Sequence, residues 1–144
     1  MDLKDRINTR LKKLLEYTDR LEEYRGVSAE SLVGDPEKQA IVERNLHLAC
    51  EVVIDIANLL NAEYRLPPAS DNKESIITLG EAGILEREFA RELSGLAPFR
   101  NVLVHDYLTV DYKVVVDVLN NKLNDFRKFA KIIAGFLQRA PAGV

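Results

Sequence analysis

The chain has little of what forms cross-links, turns or disordered segments. Its 144 residues include one cysteine, seven glycines and five prolines. A single cysteine, Cys50, excludes an internal disulfide and a metal cluster held by several thiolates, and its apolar neighbours indicate a small core residue. With 47% hydrophobic residues, the composition is typical of one packed domain. We expect that domain to span residues 1–140, followed by a disordered tail at 141–144.

Long hydrophobic runs are also missing. Every uninterrupted apolar segment is far shorter than the roughly 18 residues that indicate a membrane-spanning helix. The charged beginning of the chain has no apolar core of a signal peptide. We therefore expect a cytoplasmic protein.

Basic residues are not in excess, with 20 lysines and arginines against 23 acids and a formal net charge of −3. A broad, non-specific grip on nucleic acid needs many phosphate contacts, which this balance disfavours. A small basic site that touches one or two phosphates is still compatible with it. Any activity on RNA or nucleotides must therefore be local.

Amphipathic helices account for the first half of the chain. Apolar residues recur at steps of three and four over residues 3–25, which predicts a first helix. Asp35 followed by Pro36 is typical of a helix start, with an acceptor at the cap and proline at the first helical position. This second helix should run to about residue 65, and its wide apolar arc predicts a central position in the fold.

The second half has the same character. A cap at Asp71 predicts a short helix, and a third long helix follows with Pro98 at a break or restart. Asp111 can cap a last helix over 112–139. Strand-like alternation is absent, so we predict an all-α, up-and-down four-helix bundle with one additional short helix.

One narrow strip of the second helix is polar, at steps of three and four: Arg44, His47, Glu51, Asp55 and Asn58. In one interpretation His47, Glu51 and Asp55 line a site or bind a metal. In the other, the strip faces solvent or forms a polar seam between subunits. We favour the second, because a metal would need a further ligand from elsewhere and there is no second histidine pair. The side chains of His47, Glu51 and Asp55 remain candidates for orienting the residues that contact a substrate.

Residues 99–107 carry the side chains that are best suited to catalysis. They bring Arg100, Asn101, one of only two histidines and Tyr107 together, threaded through aliphatic residues. A fixed cation, a side chain that titrates near neutral pH and a phenol suit phosphoryl chemistry. The function is decided in this segment.

Arg100 and His105 do not share a face of a regular helix. Five residues turn an α-helix by about 500°, so their side chains would lie about 140° apart. They can converge on one substrate if the helix loosens near His105, or if two chains pool their motifs in a dimer. Alternatively, both are structural: Arg100 pairs with an acid, His105 is a helix C-terminal cation and Tyr107 is a packing residue.

A longer pattern favours function. Arg100-Asn101-x3-His105-x-Tyr107 resembles the R-[polar]-x4–6-H motif of HEPN domains, in the R-x4-H-x-Y form typical of HepT-like toxins. The resemblance extends over most of the chain, and residues 43–58 look like the second helix of that family.

The resemblance implies a homodimer in which the two motifs meet at a cleft. It implies a metal-independent endoribonuclease without a cofactor, acting as the toxin of a type VII-like HEPN/MNT toxin–antitoxin system. The implied partners are an RNA substrate and an MNT nucleotidyltransferase antitoxin, which silences the nuclease by transferring AMP to a tyrosine. The implied site consists of catalytic Arg100 and His105, supporting Asn101 and Asp106, and Tyr107 as the AMPylated residue.

These roles agree with the chemistry of the side chains. A ribonuclease without a metal uses the 2′-hydroxyl of its substrate as nucleophile, so His105 can act as general base or acid. Arg100 can hold the non-bridging phosphate oxygens and stabilise the transition state, while Asn101 orients the histidine or the phosphate. AMP on Tyr107 would add bulk and negative charge where RNA must bind.

Two other hypotheses remain open. In the first, the protein is a non-catalytic subunit that binds a nucleotide or docks a nucleotidyltransferase with the same residues. In the second, it is a purely structural helical dimer whose motif residues are freely replaceable. Toxicity on expression would support only the nuclease.

Overall fold

The computed structural model describes residues 2–104 and 110–140. These residues form eight helices: α1 (Leu3–Glu22), α2 (Ala29–Val33), α3 (Pro36–Glu63), α4 (Asn72–Glu81), α5 (Arg87–Ser94), α6 (Leu96–Val104), α7 (Tyr112–Asn121) and α8 (Leu123–Arg139). The described ranges contain no strand. The predicted all-α class is confirmed, whereas the predicted tail at 141–144 lies outside the described residues.

Short polar side chains begin most of these helices. In α1, α2, α3, α4 and α7 an oxygen of the capping side chain accepts a hydrogen bond from a backbone N–H of the first turn. At α3 the cap is Asp35 and Pro36 follows at the start of the helix, as predicted. Proline has no N–H to leave unpaired there, so the pair defines the start of the helix.

Helix α3 lies at the centre of the bundle. It packs against α1, α2, α4, α6 and α8, and its buried residues include Leu46, Val53, Ile56 and Leu60. This wide apolar arc is what the spacing in the sequence predicted. In the described ranges, no helix is long and apolar enough to cross a membrane.

The boundaries of the helices differ from the predictions in three places. Helix α2 was not predicted. The third helix is divided into α5 and α6 at Gly95, and α6 carries Pro98 in its first turn, where a missing N–H costs little. The prediction of one helix over 112–139 is wrong, because the chain breaks at Lys122 between α7 and α8.

A tertiary contact explains the break at Lys122. The side-chain oxygen of Asn120 accepts a hydrogen bond from the backbone N–H of Gly26 at 2.7 Å. The backbone carbonyl of the same residue accepts from Nη1 of Arg25 at 3.2 Å. A carbonyl and an amide near the end of α7 are thus bound to the connection after α1, and α8 starts a new helix.

Candidate active site

Arg100 lies in the middle of α6, on the side that packs against α3. Its Nη1 is 3.1 Å from Oε1 of Glu51, and the arginine side chain is only 21% exposed. The predicted catalytic arginine is therefore held against α3 by an ion pair. The polar strip of α3, whose His47, Glu51 and Asp55 are candidates for supporting a site, is in contact here with the motif of α6.

A second side chain of the strip contacts the same carboxylate. Nε2 of His47 is 3.3 Å from Oε1 of Glu51, one helical turn away along α3. The exposed fractions of the His47 and Glu51 side chains are 24% and 31%. We call His47, Glu51 and Arg100 the α3–α6 cluster. In this half-buried cluster, His47 and Arg100 both contact the same oxygen atom, Oε1 of Glu51.

Asp55 lies one turn beyond Glu51 and is exposed. Partial burial and the nearby charge of Glu51 raise the pKa of its carboxyl group, while Arg10 and Arg100 partly oppose that rise. With Arg10 and Asn58 it lines an open depression of about 300 Å³. The positive charge of Arg100 thus acts on the carboxyl group of Asp55, although no ion pair joins the two side chains in the described structure.

Cys50 is fully buried behind the cluster, as predicted for a core residue. Burial raises the pKa of its thiol well above the ordinary value. The thiol is therefore neutral at physiological pH and does not supply a nucleophile. In the described ranges, no group of three or more histidine, cysteine, aspartate or glutamate side chains could hold a metal ion.

Helix α3 also contacts the start of α7, through Glu43. The hydroxyl of Tyr112 donates a hydrogen bond to Oε1 of Glu43 at 3.4 Å, and burial raises the pKa of that carboxyl group. Glu43 precedes Glu51 by two helical turns, which is about 12 Å along the axis of α3. Arg100 and Tyr112, which flank the rest of the motif, thus both contact this face of α3.

The other predicted site residues are only partly described. Asn101 is exposed on α6, next to Arg100. His105, Asp106 and Tyr107 lie outside the described residues. The structure therefore gives the position of the predicted phosphate-binding arginine, while the roles of the histidine and the tyrosine stay predictions.

The sequence alone does not indicate the contact between Glu51 and Arg100. The spacing of His47 and Glu51 predicts that they share one face of a helix, which is confirmed by their contact. Their link to Arg100 depends on how α6 packs on α3, and no local pattern reports that packing. Glu43, which had no place in the predicted site, was missed for the same reason.

The chain is similar in sequence to nucleases. The family model described as "Ribonuclease HepT-like" matches residues 14–133. The tRNA nuclease HepT of Aphanizomenon flos-aquae is 29% identical over 131 residues, which are 91% of this chain and 89% of that protein. The mRNA nuclease HepT of Shewanella oneidensis is 32% identical over 89 residues, which are 62% of this chain and 67% of that protein.

The fold is similar to that of a solved toxin. A tri-AMPylated HEPN toxin of Shewanella oneidensis, in complex with an MNT antitoxin, superposes with a TM-score of 0.81 at 26% sequence identity. The match covers 94% of this chain and 99% of that one. Sequence and fold therefore agree over almost the whole chain.

Proposed function

The chain belongs to the HepT-like ribonuclease family, and we propose that it is a metal-independent endoribonuclease toxin whose site is built on Arg100 and His105. The family match includes the whole Arg100-Asn101-x3-His105-x-Tyr107 motif. The observation that carries the assignment to this site is the ion pair of Arg100 with Glu51. It holds the arginine, half-buried, at the start of the motif.

The proposed reaction needs no group from outside the protein and the RNA. The 2′-oxygen attacks the adjacent phosphorus, the bond from phosphorus to the 5′-oxygen breaks, and a 2′,3′-cyclic phosphate and a 5′-hydroxyl form. One histidine takes the proton of the 2′-hydroxyl, and a proton donor returns one to the leaving 5′-oxygen. Arg100 stabilises the charge that builds on the non-bridging oxygens.

A homodimer would complete this chemistry. One chain supplies one Arg100 and one His105, whereas two chains supply a base, an acid and two cations. Arg100 on α6 and Tyr112 at the start of α7 contact Glu51 and Glu43, which are about 12 Å apart along α3. This placement supports a site in which His105 and Arg100 act together.

We also propose an MNT-type nucleotidyltransferase as the antitoxin, since the similar HEPN toxin is tri-AMPylated and bound to such a protein. In the reaction, the phenol oxygen of Tyr107 attacks the α-phosphorus of ATP, loses its proton and displaces pyrophosphate. The attached AMP adds negative charge two residues from His105, where it opposes the binding of an RNA phosphate.

The direct test is cleavage of RNA by the purified protein in EDTA. We expect wild type to cut and to leave 2′,3′-cyclic phosphate ends, and Arg100→Ala and His105→Ala each to reduce cleavage by at least 10²-fold. Arg91→Ala, the same change at an exposed arginine of α5, is the matched control and should cut like wild type.

Three outcomes would contradict the proposal. Equal cleavage by wild type and His105→Ala would indicate a contaminating nuclease. Loss of activity in only one of the two variants would contradict the shared site. If folded wild type cuts neither structured nor unstructured RNA, the nuclease proposal fails and the hypothesis of a binding subunit is favoured.

A further inference from the structure

Glu51 is well placed to decide where the guanidinium group of Arg100 lies. The two residues come from different helices, and the 3.1 Å contact between Nη1 and Oε1 is the ion pair that joins α6 to α3 in the described structure. An arginine side chain has many rotamers, so an unpaired Arg100 would sample a wide volume. The ion pair with the Glu51 carboxylate restricts the guanidinium group to one position.

The carboxylate is itself held in place. His47, one turn earlier on α3, contacts the same Oε1 at 3.3 Å. All three side chains of the α3–α6 cluster are less than one-third exposed. Removing the charge of Glu51 would leave the half-buried guanidinium without its ion-pair partner in the described structure, which favours its movement towards solvent.

The nitrogen atoms of the Arg100 guanidinium group differ in what they contact. Nε of Arg100 is buried and has no hydrogen-bond partner among the described residues. Nη1 lies 3.1 Å from Oε1 of Glu51 in the ion pair. Since an arginine has five N–H donors, other Nη hydrogens remain for phosphate oxygens.

We infer that Glu51 is a positioning residue of the ribonuclease, which orients Arg100 for the transition state without touching the RNA. This inference rests on the proposed function of Arg100. It assigns to an acid of α3 a role that simple charge would not suggest, because a carboxylate near the site repels RNA. The benefit is a cation that needs no reorganisation during the reaction.

The test compares four proteins in steady-state cleavage of one RNA oligonucleotide: wild type, Glu51→Ala, Glu51→Gln and Glu63→Gln. We expect Glu51→Ala to lower kcat roughly 10- to 100-fold with little change in KM, since a misplaced group costs rate more than binding. Glu51→Gln should lose less, because its amide oxygen keeps a polar partner of similar shape beside Arg100. Glu63→Gln removes the same charge from an exposed position of α3 and should match wild type.

Three kinetic results would overturn the inference. One is a kcat of Glu51→Ala within twofold of wild type. Another is an equal fall in Glu63→Gln. The third is a lower KM with unchanged kcat in Glu51→Gln, which would make Glu51 a competitor of the phosphate. Far-UV circular dichroism of each variant checks that it is folded.

A second readout does not depend on activity. The Nε–Hε signal of Arg100, assigned by its loss in Arg100→Lys, reports the order of the guanidinium in ¹⁵N relaxation. We expect that order to fall in Glu51→Ala and to stay unchanged in Glu63→Gln. Unchanged order in Glu51→Ala overturns the positioning role even if cleavage is slow. If wild type cuts no RNA, the proposed function fails, and the order parameter then decides only whether Glu51 holds Arg100 in place.

Discussion

Among the described glycines, Gly80 has the least space for an added Cβ atom. It lies near the end of α4, and a Cβ atom there would be 2.7 Å from Cβ of Ala90 and 3.1 Å from Cα of Arg87 on α5. Neither neighbour is the end of a flexible side chain, so the helices would have to separate. We expect Gly80→Ala to lower the free energy of unfolding by about 1–3 kcal/mol, measured by urea denaturation.

The sign of this change makes the test informative. Alanine is intrinsically better than glycine in a helix by roughly 0.5–1 kcal/mol, so without the close contact the variant would be more stable. Gly34→Ala is the control, because its nearest atom is the backbone oxygen of Glu30 at an ordinary 3.6 Å. A loss at Gly34 as large as at Gly80 would show that packing against α5 is not the cause.

Single residues also show how far the site could be predicted. Arg100 stands out from the sequence because it belongs to a spaced motif with a chemical logic. Its contact with Glu51 does not, because the two lie 49 positions apart in the chain and the contact exists only after α6 packs on α3. The preferred interpretation of the strip, a solvated face or a subunit seam, took no account of that packing.

At the scale of elements, the long helices were predicted because their signals are local. The stripe of α1 is buried at all six positions from Leu3 to Leu21 that the sequence indicated. Helix α2 has five residues and one buried side chain, Leu32, which is too little for a periodic signal. The break at Lys122 depends on Asn120 binding Gly26, a contact across the fold that no local pattern contains.

The ends of α1 and α8 are joined by Glu22. Arg127 of α8 donates from Nη1 to its Oε1 at 2.7 Å, and Arg25 also binds it. Hydrogen bonds from Arg25 and then Arg127 hold the pKa of Glu22 at about 2, below its usual 4.5. The folded state therefore binds the proton more weakly than the unfolded state. The stabilisation by Glu22 is fully present above about pH 4.5 and is lost as the pH falls towards 2.

We accordingly expect Glu22→Gln to lower the Tm near neutral pH and to match wild type near pH 2, in thermal unfolding followed by circular dichroism. Glu23→Gln is the control, since Glu23 is exposed and also lies at the end of α1, where the helix dipole disfavours an acid. A difference between wild type and Glu22→Gln that persists unchanged down to pH 2 would contradict the assigned ion pairs.

At the scale of the whole molecule, the proposed dimer has a candidate surface beside the site. Val102 of α6 and Val114 of α7 are exposed, and with Pro98, Phe99 and Val110 they line an apolar cavity of about 340 Å³. Exposed apolar surface of this kind is typical of an interface.

The net charge of −3 limits the number of RNA phosphates that such a dimer can contact. Each bound phosphate releases counter-ions, so log K falls with log salt by about 0.7 per phosphate contact on a single strand. One or two contacts per protomer give a slope of about −1 to −3 for the dimer. Fluorescence anisotropy with an RNA that carries a 2′-deoxy nucleotide at the cleavage site measures it without reaction. Arg100→Ala should flatten the slope by about 1 or more. A wild-type slope near −6 or steeper would instead mean that a broad surface grips the RNA and that Arg100 is one contact among many.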